Sequence, residues 1–290
     1  MRIAYHIGAH CTDEEKLLRC LLKNRGPLAE QGILVPGPSR YRVALRDALV
    51  QLRGEMADEE LQATLLEQIM EADEASRMVL SWDSFMAFPQ WALRRSLYPN
   101  GPERLRALTR IFPQIEAEFF LAIRNPAGFV PAMVARQKDR SYEDVIEGTD
   151  PLGLRWSELI ARIRSVNPDV PLTVWCDEDS PLIWPELLQA ISGHAPGTVL
   201  EGADDLLSAI MAPRGFARLK AHLEASPPAD AEARRRAVAG YLQRFALPDQ
   251  VETEVDLPGW TDDYVALLTE GYDRDVARIA GIPGVRLITA

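Results

Sequence analysis

Residues 2–17 read RIAYHIGAHCTDEEKL, an apolar run followed by a glycine and then by a helix-like pattern. This order is typical of a phosphate-binding loop, in which the backbone N–H groups at the start of a helix face an anion. The three residues that would meet the anion are acidic, namely Asp13, Glu14 and Glu15. The segment therefore combines the chain path of an anion site with side chains of the same charge as the anion.

The first 195 residues alternate between strand-like and helix-like segments, which predicts a parallel sheet covered by helices on both faces. Five apolar runs are predicted strands: 2–8, 32–36, 77–82, 118–124 and 171–176. The predicted helices cover 13–30, 57–73, a segment opened by Pro102, 126–138, 154–166, 184–193, 203–223, 230–246 and 261–280. We therefore expect an α/β core of about five strands over residues 1–200. Residues 201–290 are expected to form a helical C-terminal lobe packed on that core, or part of one single domain.

The composition excludes several classes of function. A net charge of −11 argues against general nucleic-acid binding, because contact with a phosphate backbone needs a basic surface. No run of 18 apolar residues is present, so no membrane span is expected. The three cysteines are an odd number in a large chain, which favours reduced thiols and a cytoplasmic setting. Their spacing matches no zinc pattern, and no metal site is predicted.

Ligands of open α/β sheets bind beyond the carboxyl ends of the strands. Applied to the predicted strands, this rule selects the segments 8–15, 81–83, 124–125 and 176–178 as the candidate site. The acidic residues 177–179 cluster after the fifth predicted strand and are interpreted as an acidic turn in preference to a metal site.

Residues 5–37 resemble the opening of bacterial members of the PAPS-dependent sulfotransferase family. Those proteins read H-x-G-x-[PH]-K-T-G-T-T-x-L-Q, then N-R-x-x-L and G-I-x-Y-P. The chain matches this framework at His6, Gly8, His10, Thr12, Leu17, Asn24, Arg25, Leu28, Gly32, Ile33 and Pro36. The resemblance implies a P-loop-containing fold whose loop holds the 5′-phosphosulfate of PAPS (3′-phosphoadenosine 5′-phosphosulfate). It assigns cofactor binding to Gly8, Ala9, His10, Cys11 and Thr12.

Other segments also resemble this family. LAIRNPAGFVPAMVARQ (121–137) resembles the segment in which an arginine and a serine eight residues later bind the 3′-phosphate of the cofactor. Arg124 matches the arginine, while Ala132 stands at the position of the serine. VLSWDSF (79–85) resembles the third strand of bacterial members and places Asp83 among their polar groups. Residues 262–282 resemble their closing helix.

The residues that depart from the family pattern are those of the loop that holds the phosphosulfate. Cys11 replaces the lysine, Asp13 a glycine, and Glu14 and Glu15 the two threonines. TDEE is also a capping-box sequence, with Thr12 as the N-cap and Glu15 three positions into the helix. Carboxylates at a helix N-terminus are favoured by about 0.3–1 kcal/mol each. The sequence therefore predicts that the helix supplies its own anions.

These carboxylates would repel an external phosphate. At about 6 Å and an effective dielectric constant near 20, each repels a unit charge by roughly 3 kcal/mol, which screening reduces to about 1–2 kcal/mol. Two or three such groups, together with the missing lysine, would weaken binding about a thousandfold. We therefore expect a sulfotransferase-like protein with a decayed or repurposed PAPS site, and no bound cofactor.

Two alternatives stay open. In an active, divergent sulfotransferase, PAPS would donate its sulfuryl group to a hydroxyl of a glycan or small molecule. Asp83 or His10 would be the base that accepts the proton of the acceptor hydroxyl. Arg124 would hold the 3′-phosphate, and the backbone amides of residues 9–13 would hold the phosphosulfate. Cys11 is not expected to be a nucleophile, because nearby carboxylates oppose its ionisation.

The second alternative is a non-catalytic interaction protein that uses the helical lobe as its contact surface. A sugar-binding groove lined by Trp82 and Trp91 would lie between the two alternatives. Most of the tryptophans are expected to be core residues or pocket walls.

Overall fold

Six parallel strands form one sheet in the computed structural model, which describes residues 1–72, 74–251, 255 and 257–290. The strands of this part of the chain are β1 (Arg2–His6), β2 (Ile33–Leu34), β3 (Arg77–Ser81), β4 (Glu116–Ile123), β5 (Leu172–Cys176) and β6 (Val285–Ile288). Their order is β2-β3-β1-β4-β5-β6, and every neighbouring pair is parallel. The predicted α/β fold is confirmed, with six strands instead of five.

Fourteen α-helices in the described residues flank this sheet. Those of the first 200 residues are α1 (Lys16–Lys23), α2 (Arg25–Ala29), α3 (Pro38–Leu52), α4 (Glu59–Ile69), α5 (Gly101–Thr109), α6 (Pro126–Arg136), α7 (Tyr142–Ile146), α8 (Trp156–Val166) and α9 (Ser180–Ser192). The others are α10 (Asp205–Ile210), α11 (Pro213–Ala225), α12 (Ala231–Phe245), α13 (Pro248–Val251) and α14 (Asp262–Ile279). The helix predicted over 57–73 ends earlier, at Ile69, and residue 73 lies outside the described part. None of these helices is long and apolar enough to cross a bilayer.

Burial of both faces of the sheet explains why its strands read as continuous apolar runs. In β1, Ile3 and Tyr5 belong to the core on one face, whereas Ala4 belongs to the core on the other. Each of these three side chains is at most 1% exposed. The period of two along the strand thus divides the side chains of β1 between two helix layers.

The strand order places the carboxyl end of β1 at the centre of the molecule. The chain runs from β1 through β2 to β3 on one side, and then crosses to β4 on the other. The loops that follow β1, β3 and β4 are therefore neighbours. Such a reversal of strand order is where open α/β sheets place their ligands.

The C-terminal segment contributes to the core sheet as well as to a helical region. β6 pairs with β5, with Val285 opposite Leu172, so residues 285–288 add a strand that the predicted helical C-terminal lobe did not include. The helix α14 packs on α8, where the buried Asp275 accepts a hydrogen bond of 3.0 Å from the backbone N–H of Ser157. Residues 252–254 and 256 of the predicted lobe lie outside the described residues. The division of the chain at residue 200 stays a prediction.

Candidate functional site

A cavity of about 470 Å³ lies at the carboxyl ends of β1, β4 and β5. We call it the carboxyl-end pocket. It brings together residues from three of the four segments selected from sequence, 8–15, 124–125 and 176–178. Its lining includes Thr12, Asp13, Glu14, Lys16, Arg124, Asn125, Asp177, Glu178, Trp184, Leu206, Ile210, Val251, Val255 and Val265.

The start of α1 differs from the predicted capping box. The helix begins at Lys16, and its N-cap residue Glu15 makes no capping hydrogen bond through its side chain. Glu14 and Glu15 both have left-handed backbones, with φ of 49° and 64°, and these turns delay the start of the helix. The Thr12 hydroxyl instead donates to the carbonyl of Ala9 at 2.9 Å. The prediction of Thr12 as the N-cap is therefore wrong.

Asp13 supplies the anion at this helix start. Its Oδ2 accepts the backbone N–H of Leu17 at 2.9 Å, and its carbonyl oxygen accepts that of Lys16 at 2.9 Å. The other two acids pair with side chains: Glu14 with Lys16 at 3.0 Å and Glu15 with Arg42 at 2.7 Å. A carboxylate of the chain thus bonds to an amide at the helix N-terminus, where an external anion would bind.

Arg124 and Asp177 form the inner wall of the pocket. Nη1 of Arg124 donates to the carbonyl of Cys11 at 2.5 Å, and the Arg124 carbonyl accepts the indole N–H of Trp156 at 2.8 Å. The partly buried Asp177 carboxyl makes no hydrogen bond within the described residues. Burial raises the pKa of Asp177 to about 7, with a further increase from Glu178 and an opposing effect from Arg124.

The pocket edge is tied to the C-terminal helix α14. The backbone N–H of Asn125 donates to Oε1 of Glu178 at 2.7 Å, and the Tyr272 hydroxyl donates to Oε2 at 3.1 Å. The Asn125 side-chain amide donates to the hydroxyl of Thr269 at 3.0 Å. Sequence-distant residues of α14 therefore fix the loops after β4 and β5.

Within the described part of the chain, a buried polar group of the pocket has no partner. Trp184 is 2% exposed and lines the pocket, and its indole N–H makes no hydrogen bond to any described residue. A buried donor without an acceptor is unfavourable by about 1–3 kcal/mol. Apolar side chains from Leu206, Ile210 and Val265 also line this cavity. The wall therefore offers apolar contacts, one free donor and an unbonded carboxyl group.

The candidate catalytic residues Asp83 and His10 lie in a neighbouring, closely bonded cluster. The fully buried His10 is bonded through Nδ1 to the Tyr98 hydroxyl at 2.8 Å, and its Nε2 lies 3.5 Å from the hydroxyl of Ser84. Ser84 donates to Oδ1 of Asp83 at 3.0 Å, and Arg136 binds Oδ2 at 2.7 Å. Both candidate bases already have partners within the fold.

The pKa values of this cluster follow from burial and from the arginine. Burial lowers the pKa of His10 to about 4. Burial alone would raise the pKa of Asp83, but His10 and the Arg136 guanidinium hold it below its ordinary value. Burial raises the pKa of the Cys11 thiol, so burial more than nearby carboxylates opposes its ionisation. At neutral pH the cluster therefore holds a neutral imidazole, a carboxylate and a thiol.

Gly8 and Ala9 join the loops of three strands. The Gly8 carbonyl accepts the N–H of Ala122 at 2.7 Å, and the Ala9 N–H donates to the Ala122 carbonyl at 2.8 Å. Gly8 has a φ of 104°, and a Cβ there would lie 3.3 Å from the backbone of Asp83. Because an added side chain would meet the loop after β3, a glycine suits this position.

Five of the six tryptophans belong to the core or pack against it. Trp156, Trp175 and Trp184 are at most 2% exposed, Trp82 and Trp260 are partly buried against the core, and Trp91 is 46% exposed. Trp82 packs edge-to-face on Phe88, and Phe88 packs in the same way on Trp91. An aromatic surface thus stands beside Asp83, and the sugar-groove hypothesis stays a prediction.

Sequence reasoning missed two residues of this cluster, Tyr98 and Arg136, which lie far along the chain from the residues they bond. Tyr98 belongs to no motif, and the resemblance of 121–137 to the family assigns no role to Arg136. Asp177 lines the pocket and lies in the segment 176–178 selected from sequence. Its position directly after Cys176, the last residue of β5, is the signal that selects it.

Comparisons of the chain with protein-family models, with curated proteins and with solved structures gave no match. The resemblance to sulfotransferases and the residue roles that it implies therefore stay predictions.

Proposed function

We propose that this chain is a sulfotransferase-like protein that does not bind PAPS, and that its carboxyl-end pocket receives a small molecule without strong negative charge. The observation that carries the proposal is the bond of 2.9 Å between the Asp13 carboxylate and the N–H of Leu17. A phosphosulfate in this place would compete with a carboxylate that is covalently part of the chain. The entropy of binding favours the internal anion.

The charges around the pocket support the same proposal. Four carboxyl-bearing residues line it against two cationic ones, Lys16 and Arg124. Lys16 is paired with Glu14 and Arg124 donates to a carbonyl, so both cations are already engaged. A nucleotide with several negative charges would meet net repulsion of about 1–2 kcal/mol for each nearby unpaired carboxylate.

The bonding of Asp83 and His10 favours binding over sulfuryl transfer. A general base must reach the proton of the acceptor hydroxyl through a free lone pair. The Asp83 carboxylate is bound by Arg136 and Ser84, and His10 is fully buried. We therefore place a neutral or cationic small molecule, with a glycan as the alternative occupant, in the pocket. The three free cysteines support the further proposal of a cytoplasmic location.

Calorimetric titration with PAPS, and with its desulfated product, tests the proposal. No saturable heat is expected up to millimolar ligand. The variant with Cys11→Lys, Asp13→Gly, Glu14→Thr and Glu15→Thr restores the family pattern, and a gain of at least about a hundredfold in affinity is expected from it. Its matched control makes the same change in charge on exposed surface, with Glu67→Gln, Glu103→Gln, Glu224→Gln and Glu270→Gln.

Micromolar binding of PAPS or its product to the natural chain would overturn the proposal. Equal gains in the restored-loop and control variants would show that total charge, and not the loop, governs binding. Sulfuryl transfer by the natural chain that is lost in Asp83→Ala would reinstate the active alternative.

A further inference from the structure

A second cavity, of about 360 Å³, lies between the segment 95–97, the 3₁₀ turn Pro151–Gly153 and the first turns of α8. It shares no lining residue with the carboxyl-end pocket. Whatever binds there is therefore independent of the function proposed above.

Three guanidinium groups line this cavity. Arg162 donates to the carbonyl of Leu97 at 2.6 Å, and Arg155 donates to that of Leu152 at 2.8 Å. These backbone bonds fix both side chains, and each guanidinium has five N–H donors, so both retain donors. Arg95 is exposed and makes no hydrogen bond or ion pair within the described part of the chain.

A buried hydroxyl points to a ligand in the same cavity. Thr149 is 4% exposed and lines the cavity, and its Oγ1 has no hydrogen-bond partner among the residues that the structure describes. Nearly all buried polar side-chain atoms in proteins are bonded, so an unbonded one calls for a partner such as a bound molecule. Within this cavity the partner would be an acceptor or donor that also meets the arginines.

Two acids also line the cavity, Asp150 and Glu158. The Asp150 carboxylate is engaged, because its Oδ1 accepts the N–H of Leu152 at 3.0 Å. Glu158 is exposed in the first turn of α8. With three cations against two anions, the lining keeps a net positive charge.

We infer that this cavity binds a small oxyanion of the phosphate and sulfate class, held by Arg95 and by the hydroxyl of Thr149. A guanidinium presents paired N–H donors that match two oxygens of such an anion. The fixed charges of Arg155 and Arg162 add attraction without further ordering of side chains. The same oxyanion group is found in the free ion and in small phosphate esters.

Calorimetry at constant ionic strength tests the inference, with inorganic phosphate, sulfate and glycerol 3-phosphate titrated against a chloride background. We expect saturable binding with a dissociation constant of about 1 mM or lower. Arg95→Gln is expected to weaken it at least tenfold, and Thr149→Val several-fold. Glu158→Gln is expected to strengthen it several-fold because it removes a repulsive charge. Tighter binding of the ester than of the free ion would identify a phosphate ester as the ligand.

Arg19→Gln is the matched control, because it makes the same change in charge at an exposed arginine of α1 that does not line the cavity. Its affinity should equal that of the natural chain. Absence of saturable binding, or equal losses in the Arg19 and Arg95 variants, would overturn the inference. A near-ultraviolet dichroism spectrum unchanged by Thr149→Val would verify that a weakened affinity comes from the hydroxyl. Unchanged affinity in that variant would also contradict the assigned role.

Discussion

The Tyr98 hydroxyl lies 2.8 Å from Nδ1 of His10 and 3.0 Å from the backbone nitrogen of the same residue. The Ser84 hydroxyl donates its one hydrogen to Asp83, so it can only accept from Nε2 of His10. The proton of the neutral ring is then on Nε2, Nδ1 is an acceptor, and the Tyr98 hydroxyl donates to Nδ1 while it accepts the backbone N–H. Ser84 and Tyr98 together thus fix the tautomer of the buried histidine and the direction of this chain of hydrogen bonds.

Replacing Tyr98 with phenylalanine leaves two buried groups of His10 without a partner. The free energy of unfolding is expected to fall by about 1–3 kcal/mol, as measured by urea denaturation. Tyr264→Phe is the control, because the Tyr264 hydroxyl makes no hydrogen bond within the described residues. Similar stabilities of the two variants would contradict the role given to Tyr98.

Replacing Asp13 with alanine removes the carboxylate from the start of α1. A loss of about 1 kcal/mol in unfolding free energy is expected, as for other side chains that cap a helix. The Leu17 amide should also exchange with deuterium faster. Glu14→Ala removes an exposed ion pair with Lys16 and should change stability by less than about 1 kcal/mol. If Leu17 exchanged equally in both variants, Asp13 would not be the cap.

Asp177 makes stability depend on pH. Its pKa is about 7 in the folded chain and about 3.9 when unfolded. Between these values the folded state binds a proton that the unfolded state has lost, so stability falls as the pH rises from about 4 to 7. Asp177→Asn stays neutral, and it should exceed the natural chain in stability at pH 8 by at most about 4 kcal/mol.

Thermal melts at pH 5, 6, 7 and 8 measure this difference, which should shrink toward the acidic end. Glu67→Gln changes an exposed carboxylate and is the control. A stability difference that does not depend on pH would show that Asp177 is ionised throughout.

Two glycines of the helical C-terminal region give a matched pair. A Cβ at Gly215 of α11 would overlap the ring of Phe245, whereas one at Gly240 of α12 would meet no atom of the described residues within 4 Å. Gly215→Ala is therefore expected to reduce stability by about 1–3 kcal/mol through overpacking. Gly240→Ala should raise it by about 0.5–1 kcal/mol, since alanine favours a helix interior. Equal effects in denaturant melts would contradict the packing of α11 on α12.

The strands of the core were predictable because burial on both faces of the sheet produces continuous apolar runs in the sequence. β1, β3 and β5 each lie within a predicted apolar run, as does the short β2, whereas β4 (Glu116–Ile123) overlaps the predicted run 118–124 and begins two residues before it. β6 has four residues, one of them the exposed Arg286, and is too short to show a period. Its place in the sheet depends on hydrogen bonds to β5, more than a hundred residues earlier in the chain.

The candidate site was predictable only as a location. The rule that ligands bind beyond strand ends selected segments that line the pocket. The acidic residues of this loop led to a wrong prediction of the helix N-cap. Glu14 and Glu15 have left-handed backbones, and α1 therefore begins beyond Thr12, at Lys16. The Glu15 side chain pairs with Arg42 of α3, a partner that no local pattern includes.

The order of apolar and polar residues was therefore enough to predict a parallel α/β sheet with an acidic loop at the end of its first strand, because secondary structure and burial repeat over short distances. Folding decided three further properties. They are the carboxylate that bonds to the helix amide, the histidine nitrogen that carries the proton, and the carboxyl group that resists ionisation. Those properties depend on charges and hydrogen bonds between residues far apart in the chain, and these contacts form when the chain is packed.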